Sequence, residues 1–544
     1  MTWTEWLIFF LIIQVVHGIG TWKLYTKAGR QPWEAFIPVY NAVILMKIIT
    51  RPWWWIILMF LPIVNLIMIP AVWVETARAF GKDSKLDALL CIITLGFYLY
   101  YLNYAADVSY VENRRLKPKT NAGEWITSIL FAIVAATIVH TYFFQPFVIP
   151  SSSLEKSLLI GDFLVVSKLH YGARAPMTTV GAPMVHDTIP VIKKKSYLYN
   201  DNFEKRKTAW QNKLQLPYFR FPGFESIKNN DYVVFGQPAD TLRDMDVFTP
   251  DRNYYKPIDK KTNLVKRCVA IPGDTLEIKE GYVYINGKKN ELPDRAQLQF
   301  SYDVTLKKPI ETQAEINRIL AALDRSDIDD GIGQFQNAEK NVYRINAASD
   351  KAIETFKNHP EVLSVTKNIT PKGEYRATFP RDPNYSWNVD FFGPLYIPKA
   401  GTTTELTVQN LPIYDRLIQE YEGHKVFARG NEVVLDGEVV TEYTFEKDYY
   451  WMMGDNRHNS VDSRAWGFVP FDHVIGKPVF IWMSVDGMMD ENKSISFRWD
   501  RIFTTVNGEG ERVSYFIPFI VLVLGFTFFN RWRKKKKKLK TENS

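Results

Sequence analysis

The chain of 544 residues is too long for one ordinary domain, and its apolar residues, 46% of the total, are bunched into long runs that indicate membrane spans. Eight of its lysines and arginines lie within 531–540, so the formal charge of +8 belongs to the tail and does not indicate a nucleic-acid-binding surface. The two cysteines, Cys91 and Cys268, are far apart in sequence and indicate no disulfide framework.

The apolar runs predict five membrane spans, four of them before residue 145. Residues 3–22 lack a basic n-region and a small-residue cleavage site, so this run predicts a retained helix and not a cleaved signal peptide. Residues 53–74 are long enough to span and begin with a tryptophan cluster typical of the headgroup region. The other predicted spans are a shorter one over about 88–104, an anchor over 124–144 and a last one over 515–532; the amphipathic stretch 33–49 is expected to lie along the interface.

Basic residues between these runs predict a multi-pass orientation through the positive-inside rule. Five lysines and arginines in 23–51, four in 105–123 and eight in the tail mark the cytoplasmic side, whereas 75–87 has three and the N-terminus none. The N-terminus is therefore predicted outside, the tail inside and the long segment 145–514 on the outer face. The lysine run is interpreted as a stop-transfer anchor.

The outer segment contains short runs of β-branched and aromatic residues separated by Gly, Asn and Pro, which predicts a mainly antiparallel β domain. The predicted strands are 163–167, 231–235, 264–271, 275–278, 282–285, 433–441 and 478–483. Hairpin turns are predicted at Gly281, at Asn286 with Gly287, and at Asp436 with Gly437. Residues 314–323 have helical spacing, and this stretch breaks the strand pattern.

The predicted fold class is a multi-span α-helical membrane anchor with a mainly-β extracytoplasmic domain, into which an α/β subdomain is inserted. The predicted domains are a membrane module of unassigned role over 1–110, the anchor helix 124–144, a β domain in two parts over 145–294 and 401–500, an inserted subdomain over 295–400, a transmembrane helix over 515–532 and a basic cytoplasmic tail over 533–544. A further irregular insertion, rich in Pro, Lys and Tyr, is predicted over 176–228.

Ser153, nine residues after the anchor helix, is the candidate nucleophile, and full extension of that tether spans only about 30 Å. A serine needs a base to remove its proton. His458 is one candidate, but no Gly-x-Ser-x-Gly elbow surrounds Ser153. Lys266 is the alternative, because burial in its apolar strand would lower the pKa of the amine and leave it neutral. A lone strand lysine is more often an edge residue.

Four blocks, in order and with matching spacing, resemble those of the bacterial type I signal peptidases, membrane serine endopeptidases that use a Ser/Lys dyad. They are 149–162 around Ser153, 230–238, 265–274 around Lys266, and 454–464 with 466–470; the resemblance covers roughly 124–290 and 400–490. The sequence departs from the family pattern at Leu154, where methionine is usual, at Ser152, where glycine is usual, and at Lys156, where proline is common. None of these changes removes a reactive group.

The resemblance implies roles for six residues, Ser151, Ser153, Lys266, Ser460, Asp462 and Arg464. Ser153 would be the nucleophile and Lys266 the general base, with Ser460 hydrogen-bonding the amine and orienting it. The Ser151 hydroxyl and the Ser153 N–H would form the oxyanion hole. Asp462 and Arg464 would pair and brace the block behind the dyad. The resemblance implies no metal and no cofactor.

The implied substrates are exported preproteins, cleaved after Ala-x-Ala-like sequences at the outer, periplasmic face of a bacterial plasma membrane. The enzyme would contact membrane lipid and work close to the secretion translocon, with no nucleic-acid partner. Residues 146–149 and Leu154 fit an apolar substrate pocket and a core equally well. Two other functions stay open. One is a self-cleaving Ser/Lys regulator, although no helix-turn-helix pattern precedes the catalytic part; the other is a catalytically inactive membrane scaffold.

Overall fold

The computed structural model describes residues 1–117, 120–202, 204–238, 255–308, 337–338, 341–374, 378–489 and 494–542. The chain divides into two compact units. The first comprises Met1–Phe144, Gly172–Pro222 and Asp240–Lys261, and the second comprises Gln145–Tyr171, Gly223–Ala239 and Thr262–Ser544. The helix predicted over 314–323 lies outside the described residues.

The first unit is helical at its N-terminal end. Its helices are α1 (Trp3–Lys27), α2 (Tyr40–Ile48), α3 (Trp55–Phe60), α4 (Asn65–Ala79), α5 (Lys85–Ile93), α6 (Tyr98–Tyr104), α7 (Asn121–Ile138), which continues as one π-turn through Val139–Phe143, and α8 (Trp210–Lys213). The stretch predicted to lie along the interface, 33–49, contributes buried Ile44 and Leu45 to the core of these helices. Part of that stretch therefore packs against protein.

The prediction of one spanning helix over 53–74 is wrong, because α3 ends at Phe60 and α4 begins only at Asn65. The proline at position 62 explains the break. Proline disfavours a helical backbone at the residue that precedes it, and Leu61 is accordingly extended, with φ −77° and ψ 119°. Ile63, just after the proline, has a left-handed φ of 69°. The apolar window is long enough to span, but its backbone turns.

Within the described part of the chain, three helices are long and apolar enough to cross a membrane, namely Trp3–Lys27, Asn121–Phe143 and Phe516–Lys536. They coincide with the spans predicted over 3–22, 124–144 and 515–532. The shorter span predicted over 88–104 is a bent pair, since α5 and α6 meet at 114°. This pair counts either as one broken span or as a re-entrant loop.

The second unit is built from antiparallel strands, as predicted. Its largest sheet has the order β1 (Phe144–Val148), β2 (Asp162–Ser167), β20 (Val474–Asp486), β3 (Tyr232–Gly236), β4 (Asn263–Ala270), β18 (Tyr449–Met453) and β19 (Val469–Pro470). Two short strands, β21 (Ser496–Phe497) and β22 (Thr504–Thr505), pair with β20. In the centre of this sheet, β4 lies between β3 and β18, so Lys266 is opposite Val233.

Smaller sheets flank the large one. One has the order β12 (Phe392–Tyr396), β5 (Thr275–Lys279), β6 (Tyr282–Ile285) and β7 (Lys288–Lys289); the others pair β13 (Thr403–Glu405) with β17 (Glu442–Thr444), and β14 (Val426–Arg429) with β15 (Glu432–Leu435) and β16 (Glu438–Val440). All three predicted hairpin turns are present. Each turn has a positive φ at two successive residues, a conformation that Gly, Asn and Asp adopt most readily. Glu280, before Gly281, is the one residue of these turns that is of another type.

Within the range 295–400, the described residues form a separate four-stranded sheet with one helix. The sheet has the order β11 (Val362–Lys367), β8 (Gln299–Leu306), β10 (Val342–Ser349) and β9 (Asn337–Ala338), and the helix α9 (Asp350–Lys357) follows β10 directly. Phe300, Ile345 and Phe356 are buried between this sheet and this helix. The remaining helices of the second unit are α10 (Leu411–Arg416), which continues through Leu417–Tyr421, α11 (Ser463–Trp466) and α12 (Phe516–Glu542).

Candidate active site

Ser153 lies in a 3-10 turn, Ser152–Leu154, between β1 and β2. The turn is anchored by Leu154, which is 1% exposed and packs in a core with Ile149, Leu158 and Leu164. Ile149 and Leu154 are therefore core residues and not the walls of a pocket. Ser153 itself is half-buried, and Ser151 before the turn is extended and exposed. Lys156, at the position where the family has proline, has φ of 69°, a conformation closed to proline.

The turn that carries Ser153 is hydrogen-bonded to the loop of residues 454–460, here called the 454–460 loop. The Asn456 N–H donates to the Ser153 carbonyl at 3.1 Å, and the Asn459 amide donates to the Ser152 hydroxyl at 2.9 Å. A Cβ placed on Gly454 would lie 2.5 Å from the Ser153 carbonyl oxygen and 2.3 Å from Ser460 Oγ. Only glycine at position 454 lets Ser153 and Ser460 approach the same point.

Lys266 reaches the same loop from the centre of β4. Its side chain is buried, with the residue 4% exposed, and its Nζ donates a hydrogen bond to Ser460 Oγ at 3.1 Å. Burial lowers the pKa of the Lys266 amine to about 8; the neighbouring Arg464 also lowers this pKa, while Asp462 and Asp455 oppose the shift. About a tenth of this amine is therefore neutral at pH 7 and about half at pH 8.

Asp462 and Arg464 form a buried, bidentate ion pair just after the 454–460 loop. Arg464 Nε and Nη2 donate to the two carboxylate oxygens at 2.9 and 2.8 Å. Asp462 also accepts from the Gly454 N–H at 3.1 Å and begins α11, and Arg464 Nη2 donates to the Arg457 carbonyl at 2.7 Å. The start of the loop, at Gly454, and its middle, at Arg457, are therefore tied to one ion pair.

A second buried ion pair, between Arg267 and Asp455, was not assigned a role from the sequence. Arg267 Nε and Nη2 donate to the two Asp455 oxygens at 2.7 and 2.6 Å, and Arg267 Nη1 donates to the Asn230 carbonyl at 2.8 Å. Both side chains are at most 1% exposed. A charged residue inside an apolar strand normally needs a partner of opposite charge. The position of Arg267 in such a strand was therefore the sequence feature that could have indicated a buried ion pair. The Arg267–Asp455 pair therefore links β4, beside Lys266, to the start of the 454–460 loop.

Replacing Asp455 with asparagine is expected to lower the free energy of unfolding by about 3–5 kcal/mol, because the buried Arg267 charge would lose its carboxylate. Urea or thermal unfolding of the purified protein in detergent measures the change. Glu432→Gln is the control, since Glu432 forms an exposed pair with Arg429 and its loss should cost less than about 1 kcal/mol. Equal stability of the Asp455→Asn variant and the wild type would contradict the structural role of the pair.

His458 is engaged away from Ser153 by both ring nitrogens. Its Nε2 lies 2.7 Å from Asp390 Oδ1, and its Nδ1 accepts from the Ser301 N–H at 3.0 Å. The ring also contacts Phe300 edge-on. His458 thus fastens the 454–460 loop to β8, and it is not positioned as the base. Among the described ranges, no group of three His, Cys, Asp or Glu side chains could hold a metal ion.

The chain matches two protein families. The model of the family described as signal peptidase, peptidase S26, matches residues 122–319 and 401–483, a range that includes all six predicted site residues. A family of unknown function matches residues 33–113, within the helical end of the first unit.

Curated relatives are similar over most of the chain. Signal peptidase I of Haemophilus influenzae is 23% identical over 402 residues, which cover 73% of this chain and 79% of that protein. Signal peptidase I of Helicobacter pylori is 24% identical over 385 residues, which cover 69% and 90%, and that of Aquifex aeolicus is 22% identical over 369 residues, which cover 66% and 83%.

Proposed function

Because this chain belongs to the signal peptidase family, peptidase S26, we propose that its activity rests on Ser153 as nucleophile and Lys266 as general base. The chain is a serine endopeptidase that removes signal peptides from exported preproteins. The observation that carries the proposal is the buried Lys266 amine, hydrogen-bonded to Ser460 on the same loop that holds the Ser153 carbonyl. The alternatives, a self-cleaving regulator and an inactive scaffold, are not favoured.

The proposed reaction has two halves with one base. Neutral Lys266 takes the proton from Ser153 Oγ as this oxygen attacks the scissile carbonyl, and the ammonium then gives the proton to the leaving amine. The Ser153 N–H and the Ser151 hydroxyl donate to the oxyanion, whose charge exists only in the tetrahedral state. In the second half Lys266 deprotonates a water molecule that attacks the acyl-enzyme, and the ammonium then returns this proton to Ser153 Oγ as the acyl bond breaks.

Ser460 and the ion pair behind it act by positioning. The Ser460 hydroxyl accepts from Lys266 Nζ, which fixes the amine at the end of a flexible four-carbon side chain. Asp462 binds the Gly454 N–H and, through Arg464, the Arg457 carbonyl, so the loop keeps its shape during the reaction. We assign Asp462 and Arg464 a structural role and no part in proton transfer.

The activity is expected to fall with decreasing pH below about 8, the pKa to which burial lowers Lys266. Only the neutral amine accepts the serine proton, so kcat/KM for a preprotein should fall about tenfold per pH unit on the acid side and level off above. The measurement is a pH–rate profile in detergent. An acid limb centred near pH 6.5, the ordinary pKa of histidine, would instead indicate a histidine base.

We also propose that the enzyme is a multi-pass protein of the bacterial plasma membrane, with the catalytic unit on the periplasmic face. If α5 and α6 form a re-entrant loop, three spans leave 28–120 on the same side as the lysine-rich tail, and this segment holds ten lysines and arginines. Two contacts within the first unit support placing the N-terminus on the same side as the segment that follows residue 143. Trp6 Nε1 donates to the Gln215 carbonyl at 3.1 Å, and the Tyr142 ring packs edge-on against Phe221. The N-terminal end of α1 and the C-terminal end of the Asn121–Phe143 helix thus contact one segment.

Protease added to intact spheroplasts is expected to digest the segment 145–514 and to leave a tag on the C-terminal tail protected. Lysed spheroplasts provide the control, because the tag should then be lost. Digestion of the tag in intact spheroplasts, with the catalytic part protected, would contradict the orientation. With this orientation the enzyme meets preproteins with Ala-x-Ala-like sites beside the translocon and in contact with lipid.

A further inference from the structure

A cavity of about 340 Å³ lies in the second unit, between the β6–β7 hairpin, the start of β8 and the N-terminal end of α9. Its rim carries the exposed Lys289 and Lys351, and its wall includes Arg457 of the 454–460 loop. The one carboxylate among its lining residues, Asp350, already accepts hydrogen bonds from the hydroxyls of Tyr282 and Tyr302. The cavity has no part in the reaction described above, and its charge is positive.

Arg457 is a buried cation that has no carboxylate partner among the residues that the structure describes. Its residue is 2% exposed, and the single acceptor of its guanidinium among the described residues is the Gly281 carbonyl, at 3.2 Å from Nη1. Its Nε has no hydrogen-bond partner there. The two other buried arginines of this region each have a bidentate aspartate, which makes Arg457 the exception. Burial, followed by the charge of Arg464, lowers the pKa of Arg457 to about 10.

Unsatisfied polar groups continue along the seam between Arg457 and β8. Gln299 is fully buried, and neither its amide nitrogen nor its amide oxygen has a hydrogen-bond partner among the described residues. The Arg457 N–H donates to the Gln299 carbonyl at 2.9 Å, and Gln299 is opposite Ser349, which lines the cavity. Buried polar groups normally have hydrogen-bond partners. The unused donors and acceptors along this seam are therefore available to a bound ligand.

We propose that this cavity binds a small oxyanion, a phosphate or carboxylate group, with Arg457 as the buried anchor and Lys289 and Lys351 at the rim. The planar guanidinium fork matches both groups, and a bound anion would accept from donors for which none of the described residues supplies an acceptor. The volume suits a small organic acid or a phosphate ester, at the lower end of ligand pockets. Because Arg457 follows Asn456, whose N–H holds the Ser153 carbonyl, the occupant stabilises the 454–460 loop.

The test is the affinity of the full-length protein in detergent for inorganic phosphate and, separately, for acetate, measured by calorimetry with sodium chloride at matched ionic strength as the reference. We expect saturable binding of at least one of the two anions, and the stronger one identifies the ligand group. The double variant Lys289→Ala with Lys351→Ala should bind about tenfold more weakly, because charge-assisted hydrogen bonds are lost at the rim.

Lys288→Ala is the matched control, since Lys288 neighbours Lys289 on β7 but does not line the cavity. Its affinity should equal that of the wild type. Rim variants keep the test valid where an Arg457 substitution would disturb the fold. No saturable binding of phosphate or acetate by the wild type would overturn the proposal, and so would equal affinities of the Lys288 variant and the double variant.

Discussion

Replacing Lys266 with methionine is expected to reduce kcat/KM for preprotein cleavage by about four to six orders of magnitude, the cost of removing one member of a catalytic unit. The methionine side chain is unbranched and only one atom shorter than lysine, so it fills most of the same buried space, but it has no amine to accept the Ser153 proton. Because the buried amine pays a desolvation penalty, visible in its lowered pKa, methionine should leave the folded state as stable or make it more stable. Activity and stability therefore separate at this position.

The measurement is single-turnover cleavage of a purified preprotein in detergent, with thermal unfolding of the same samples. Lys279→Met serves as the matched control, since Lys279 is an exposed strand lysine of the same unit, paired with Glu277. Its cleavage rate should equal that of the wild type. A Lys266→Met variant with the wild-type rate would exclude the lysine base, and one that loses activity only because it unfolds would leave Lys266 with a structural role.

The three consecutive serines should differ sharply when each is replaced with alanine. Ser153→Ala removes the nucleophile and should reduce kcat by about four to six orders of magnitude. Ser151→Ala removes one proposed oxyanion donor, which costs about 100- to 1,000-fold. Ser152→Ala removes only the hydroxyl that accepts from Asn459 near the surface, so its kcat should stay within about tenfold of the wild type.

The ranking of these variants is the measured quantity, obtained from the same preprotein assay under saturating substrate. All three serines lie just before the buried Leu154, so the variants share one backbone anchor and differ in the hydroxyl removed. Near-wild-type activity of Ser153→Ala would contradict its role as nucleophile. A loss for Ser152→Ala as large as that for Ser153→Ala would indicate that the turn, and not one hydroxyl, governs the rate.

The strands and turns of the second unit could be predicted from the sequence because their signals are local. The run of apolar and β-branched residues over 264–271 predicted a strand, which corresponds to β4. Asn286 with Gly287 predicted a turn, which connects β6 to β7. The break at Leu61 was missed for the opposite reason. Summed hydrophobicity over 53–74 predicts a span, whereas a single proline at position 62 decides the backbone conformation of its neighbour.

The site could be predicted only through the family resemblance, because its contacts join distant parts of the chain. Lys266 and Ser460 are 194 residues apart, and Arg267 and Asp455 are 188 apart. No periodicity relates such positions; the sheet brings them together when β4 pairs with β18. The Arg267–Asp455 pair stayed unassigned for the same reason, although both residues lie in the recognised blocks.

The most direct test of the Ser/Lys account is the rate at which a serine-directed β-lactam-type inhibitor modifies Ser153, followed by mass spectrometry across a pH series. We expect modification at Ser153 in the wild type, with a rate that increases as pH rises towards about 8, the pKa to which burial lowers Lys266. We expect no modification of Lys266→Met on the same timescale. Labelling of Lys266→Met at the wild-type rate, or labelling of a residue other than Ser153, would contradict the account.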